Sequence, residues 1–403
     1  MQSQFAVFGA FFAAWIAVDA AAQITYPRGV SDTEIKIGQT MPYSGPASAL
    51  ATAGRAHAAY LDMINEQGGI HGRKVRLISL DDAYSPPRTV EQTRKLVEEE
   101  GVALIFGSLG TAPNMAIHKY LNAKKVPHLL ISSVSSRWND PAHFPWTMMA
   151  LRPSFQMEAR IYAEYILRTR PNARIGVLYQ NDEQGRDSLR GLREGLGLLG
   201  TKLIVGEQSY EVTDPTVDSQ IVMLQASGAD VLVDFSTPRF GAQAIRKTFE
   251  IEWKPLHILA FTASAIKAVL QPAGLEKSVG IISSSVSKDP SDPQWQDDPA
   301  MKNYLAWMKK YYAKGDPDDW SNVLGYTNAE ALVHVLTRCR DDLSRENVMR
   351  QAASITNLEL PMLLPGIRAN TSPTDYQAIK QLQLVRFDGK RWVRFGELLG
   401  AGK

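Results

Sequence analysis

The stretch from Phe106 to Leu121, FGSLGTAPNMAIHKYL, sets two glycines, a serine and a threonine between an apolar run and a helical pattern. Two other turns have the same character: MPYSGPASA from Met41 and ISSVSSRWND from Ile131. Each places hydroxyls where a helix can begin with unpaired N–H groups, Ser108 and Thr111 among them. Such a turn favours an anion, because orphan amides and the helix dipole both attract negative charge. Thr111 is also a good N-cap and Pro113 is tolerated in a first turn, so the segment could simply cap its own helix. A phosphate loop is excluded because no Gly-Lys-Ser/Thr follows, and GSLGTA is a poor G-x-G-x-x-G. A small carboxylate, needing few donors and no metal, fits better.

Enzymatic chemistry finds little support. GSLG is not a G-x-S-x-G elbow. Asp81 and Asp82 are adjacent, so in a strand they point to opposite faces and form no carboxylate pair; Asp81 reads as a hydrogen-bonding residue of a turn or of a contact between lobes. The seven histidines show no H-x-x-x-H or Cys/His spacing, which leaves no metal signature.

The elements that must position these turns alternate in type. EIKIGQTMP, KVRLISLDD, VALIFGS and PHLLISS read as strands, separated by helical patterns such as LATAGRAHAAYLDMINEQGG. A second series follows, with ARIGVLYQ, TKLIVGEQSY, ADVLVDFS and KPLHILAF as strands between amphipathic helices. Alternation of this kind predicts doubly wound α/β sheets, with ligands outside the carboxyl ends of the strands. IKQLQLVRFDGKRWVRFGEL reads as a hairpin turning at Asp388-Gly389. The two series share a pattern and no residue-level repeat. At 403 residues and 44% hydrophobic, the chain can form two cores, since roughly 100–200 residues per domain are usual.

Lys and Arg total 44 against 42 for Asp and Glu, and no basic stripe is interleaved with aromatics, so a nucleic-acid partner is not expected. Phe5–Val18 is apolar and DAAAQ follows, which predicts a secretory signal over residues 1–22 cleaved near Ala22. Its length of about 14 residues is short of the roughly 20 that span a bilayer. The single cysteine, Cys339, shares a helical face with Ala331 and Val335 and reads as a buried structural thiol.

The segment from Ile35 to Val97, with SGP, NEQGGIHGRKV and the aspartates that follow, resembles the amino-terminal lobe of type I periplasmic binding proteins of the leucine/isoleucine/valine class, which serve ABC importers. The likeness extends from about Ile35 to Phe395. It implies two Rossmann-like doubly wound lobes joined by a three-strand hinge, with lobe 1 over 32–149 plus 280–360 and lobe 2 over 150–279 plus 361–403. It also implies a periplasmic, monomeric, non-enzymatic protein without a cofactor, holding one ligand in the interlobe cleft and delivering it to permease subunits. Thr111 matches the hydroxyl that holds the ligand carboxylate, Ser136 the second hydroxyl, and the carbonyl of Val134 lies nearby. Gln184 stands where members often carry an aromatic residue. Tyr326 matches a residue lining the cleft, and Tyr43 or Leu50 falls at the first-lobe wall.

Amino-acid-binding members pair the ligand ammonium with an acid beyond the strand that matches ADVLVDFS, whereas Phe240 stands there in this chain. The expected ligand is therefore a carboxylate without an ammonium group, an aromatic acid for which Tyr43, Phe235, Phe240 and Tyr326 would supply flat walls. The alternative keeps Phe240 packed under its helix, with Asp182 or Asp234 taking the ammonium of a branched-chain or other amino acid. A ligand-sensing receptor of the same fold, and a hydrolase or transferase on an α/β scaffold, are the other readings.

Overall fold

A computed structural model describes residues 26–400. The expected signal segment lies outside the described residues. In the first lobe β1 (Glu34–Met41), β2 (Lys74–Asp81), β3 (Leu104–Phe106), β4 (His128–Ile131) and β5 (Thr147–Met149) form one sheet in the order β2-β1-β3-β4-β5. All its pairings are parallel. The second sheet contains β6 (Ile175–Gln180), β7 (Ile204–Tyr210), β8 (Val231–Phe235), β9 (Leu256–Leu259), β10 (Ile282–Ser285), β11 (Gln381–Phe387) and β12 (Trp392–Gly400), in the order β12-β11-β10-β9-β8-β6-β7. Its first five strands in sequence repeat the topology of the first lobe. β11 and β12 add an antiparallel hairpin. The architecture is therefore two doubly wound α/β lobes.

Every residue of β3, β4 and β8 is buried, as strands covered by helices on both faces require. Those strands are the continuous apolar runs of the sequence. β5 and β10 were not expected: TMM is only three residues long, and ISSS is polar. The hairpin turns at the expected place, where Asp388 Oδ1 accepts hydrogen bonds from the N–H groups of Lys390 (2.8 Å) and Arg391 (2.9 Å).

Helices α1 (Thr52–Glu66), α2 (Pro86–Arg94) and α3 (Thr111–Ala123) belong to the first lobe, and α4 (Phe155–Thr169) and α5 (Glu183–Leu196) open the second. The chain passes to the second lobe after β5 and returns to the first after β10. There the helix Trp320–Arg338 lies against α1 so closely that a Cβ on Gly325 would fall 2.7 Å from the Ala53 carbonyl oxygen. The Arg345 guanidinium donates to the carbonyls of Val102 and Ala103, both at 2.9 Å. A third passage leads to β11. β10 hydrogen-bonds in the second sheet, between β9 and β11, so the return falls after Ser285 and not at the expected residue 280. Cys339 is buried in the core under this helix, and burial pushes its thiol up to about 12.

Glu330 on the same helix is half-buried, and its Oε2 has no partner. Burial pushes its carboxyl up to about 7. A carboxyl whose folded pKa is raised binds its proton more tightly in the folded state, so it costs stability progressively as pH rises from the ordinary carboxylate range towards 7. The Glu330→Gln variant should therefore match the parent in melting temperature at pH 4.5 and exceed it at pH 8. Thermal melts across that range check the sign, and a gap that narrows as pH rises would contradict it.

Candidate functional site

The turns after β1, β3 and β4 meet second-lobe residues across a cavity of about 560 Å³, part of it open to solvent. Gly110, in the turn after β3, has φ of 101° and is the N-cap of α3. A Cβ there would fall 2.5 Å from the Tyr84 ring, so the turn requires glycine. Thr111 is consequently the first residue inside the helix. It makes no capping bond, which removes the reading of Thr111 as N-cap of its own helix.

The Thr111 hydroxyl lies 2.7 Å from Ser133 Oγ, and Trp138 Nε1 donates to the same Ser133 oxygen at 3.0 Å. The two hydroxyls together have two hydrogens, and one is used between them. The other is left for an acceptor in the cavity whichever oxygen donates. Ser132 Oγ, also beside the cavity, is buried without a partner. The first-lobe wall is thus a small set of hydroxyl donors at the start of a helix, suited to an anionic oxygen.

The cavity also carries a charge. Arg152 lies between β5 and α4 and is only 5% exposed. Its guanidinium sits 3.7 Å from the Phe261 ring centroid and 6.0 Å from that of Trp320. Of its five N–H donors, only Nη2 is hydrogen-bonded within the described protein, by a long 3.4 Å contact to Ser284 Oγ. Burial lowers its pKa to about 10, opposed by the field of Glu158. Glu158 spends its hydrogen bonds on Tyr162, Ser284 and the Phe261 N–H, and burial pushes its own carboxyl up. Among the described residues, no acidic side chain lines the cavity. Its aromatic walls are Tyr84, Phe155, Phe261 and Trp320.

Of the residues singled out in sequence, Leu50, Thr111, Val134 and Gln184 line the cavity together. Ser108 lies beneath it, its Oγ accepting from the Thr40 N–H at 3.1 Å and its carbonyl from Asn114 at 2.9 Å. Ser136 does not reach it. Tyr43, Phe235, Phe240 and Tyr326, the expected flat walls, do not line it either. Tyr43 is hydrogen-bonded to Ser79 at 2.7 Å and lies under Arg55. Phe235 is in the core of the second sheet. Phe240 packs on Tyr210 with centroids 4.1 Å apart, and Tyr326 on Tyr60 at 4.8 Å, because both face inward from their helices. Asp182 caps α5 through Gly185 N–H, and Asp234 holds Ser236 N–H and faces His257, so neither is placed to meet a ligand ammonium. Asp81 serves a turn, accepting from Ser44 and from Ala83 N–H. Sequence reasoning missed Arg152, Ser133, Phe155, Phe261 and Trp320.

The profile of the periplasmic binding protein family matches residues 34–391. The chain belongs to that family. It is 22% identical over 338 residues to Leu/Ile/Val-binding protein homolog 7 of Brucella abortus, covering 82% of this chain and 83% of the relative. Among solved structures it is similar to a branched-chain amino acid ABC transporter protein of Thermus thermophilus with bound valine, at 16% identity and TM-score 0.82, over 92% of this chain and 98% of that one. A solute-binding protein of R. palustris in complex with benzoate aligns with TM-score 0.75 at 16% identity, over 91% of this chain and 98% of that one. The fold is that of the type I periplasmic binding proteins of ABC transporters.

In this binding protein the lobes are bridged outside the cavity. Ser136, expected to hold a ligand carboxylate, gives its N–H (2.8 Å) and Oγ (2.5 Å) to Asp187 of α5 on the other lobe. Arg137 pairs with Glu183 at 2.6 Å beside it. Asp187 is fully buried, and burial raises its pKa against those two hydrogen bonds. These bonds exist only when the lobes are together, so they favour the closed form. Asp187→Ala should loosen closure and increase the radius of gyration in small-angle scattering, with the melting temperature of each lobe nearly retained. An unchanged scattering profile would show that the bridge does not hold the lobes.

Proposed function

We propose that this chain is the non-enzymatic, periplasmic solute-binding protein of an ABC importer, acting as a monomer that delivers an aromatic carboxylate without an ammonium group to permease subunits. The observation that carries the reading is the charge of the cavity: one buried, underpaired arginine and no acid. An ammonium group there would be desolvated without a partner and repelled by Arg152, whereas a carboxylate relieves the charge already buried. The hydroxyls of Thr111, Ser132 and Ser133 supply hydrogen-bond donors, and Tyr84, Phe155, Phe261 and Trp320 supply walls for a ring. The valine and benzoate named for the two similar solved proteins both carry a carboxylate; the chemistry of this cavity favours the one without an amine.

Thermal shift with matched acids and neutral amides tests the proposal, because a ligand that binds only the folded protein raises its melting temperature. Benzoate and phenylacetate should stabilise the protein, and benzamide and phenylacetamide should not. Arg152→Met should weaken acid binding in calorimetry by about ten- to a hundredfold, as loss of a charge-assisted hydrogen bond worth about 1.5–3 kcal/mol implies. Thr111→Ala and Ser133→Ala should each cost about tenfold. Equal stabilisation by acids and amides, or full affinity in Arg152→Met, would overturn the assignment.

A further inference from the structure

A second space of about 750 Å³, part of it open to solvent, adjoins the cleft, and Arg152, Trp320 and Leu324 line both. The geometry points to a subsite for the far end of the same solute, so that the ligand is an elongated acid with a neutral apolar tail and not an acid as short as benzoate. This inference rests on the proposal that a carboxylate binds beside Arg152.

The shared residues are the basis of the argument. Both spaces abut the Arg152 guanidinium and the Trp320 indole, so in the proposed mode a group attached to a carboxylate at Arg152 extends past these side chains into the second space. The walls beyond are Ile266, Trp295, Val323, Val385 and Trp392, drawn from both lobes. Three indoles with branched aliphatic side chains make a surface for a ring or an alkyl chain.

Charged residues also line this chamber, and each has at least one polar contact within the described protein. Lys288 pairs with Asp298 at 2.7 Å. Asp289 Oδ1 accepts from Ser291 N–H at 2.9 Å and from its hydroxyl at 2.8 Å. Asp292 caps the turn at Gln294 N–H (3.2 Å), Asp318 faces Lys267 at 4.0 Å, and Arg394 donates to Gln294 and Gln383. Apolar side chains make the larger part of the remaining lining, and Arg394 Nε and the Trp295 and Trp320 indole N–H groups have no hydrogen-bond partner among the described residues. Arg152 is the charge that lines both spaces, which sets the orientation: anion at the junction and in the cleft, tail in the second chamber.

The test is a chain-length series measured by calorimetry: benzoate, phenylacetate, 3-phenylpropanoate, 5-phenylpentanoate and biphenyl-4-carboxylate. For the parent protein, affinity should rise at least tenfold from benzoate to the longest members. Ile266→Trp fills the second chamber from a half-buried position, and Ser285→Leu fills it from another side, should the first variant fold poorly. Either should abolish the gain for long acids and leave benzoate within twofold of the parent value. Benzoate binding with no gain along the series, or a gain that survives both substitutions, would refute the subsite and leave the carboxylate reading standing. If no acid binds the parent, the carboxylate reading fails and the subsite fails with it.

Discussion

The site depends on one electrostatic constraint, a guanidinium held out of water with no direct ion pair among the described residues and linked to Glu158 only through Ser284 Oγ. Arg152 is 5% exposed and makes a single long hydrogen bond. Removing an ion from water costs several kcal/mol even after relaxation. The ring of Phe261 at 3.7 Å and the field of Glu158 offset part of that cost. The remainder is available to a ligand that brings a negative charge. The position of Arg152 just ahead of α4, where Ser154 caps the helix by accepting from Met157 N–H at 3.1 Å, fixes the side chain at the passage between the lobes.

Affinity and closure are linked by the same geometry. Thr111, Ser132 and Ser133 come from the first lobe, and Phe155, Gln184 and Phe261 from the second, so a ligand that touches both walls favours the state in which they approach. Ser136 and Asp187 add a bridge that involves no ligand at all. A buried protein carboxylate takes the donors that sequence comparison assigns to the ligand carboxylate. Ser133, three residues earlier in the same loop, is the hydroxyl that lines the cavity.

Much of the fold was legible because parallel strands covered on both faces must be continuous apolar runs, as VALIFGS and ADVLVDFS are. β10 was not, since ISSS carries no such signal and its place in the sheet is set by neighbours distant in sequence. Of the cavity lining, Thr111 was readable from the turn that precedes α3. Ser133 was not separable from Ser136, because a serine-rich loop has no periodicity that says which hydroxyl turns inward. Arg152 gave no signal, as an arginine before a helix cap ordinarily reads as solvated surface. The flagged aromatics went astray for the opposite reason: Phe240 and Tyr326 lie on inward helix faces, where an aromatic side chain is usually core.

The claim that the cavity selects a carboxylate and rejects an ammonium is tested most directly by two ligands that share a skeleton. Titration calorimetry of 3-phenylpropanoate and L-phenylalanine compares the same ring, chain and carboxylate with and without the amine. The account predicts that 3-phenylpropanoate binds at least a hundredfold more tightly, because the added charge meets Arg152 and no acid. Equal or tighter binding of L-phenylalanine would contradict it.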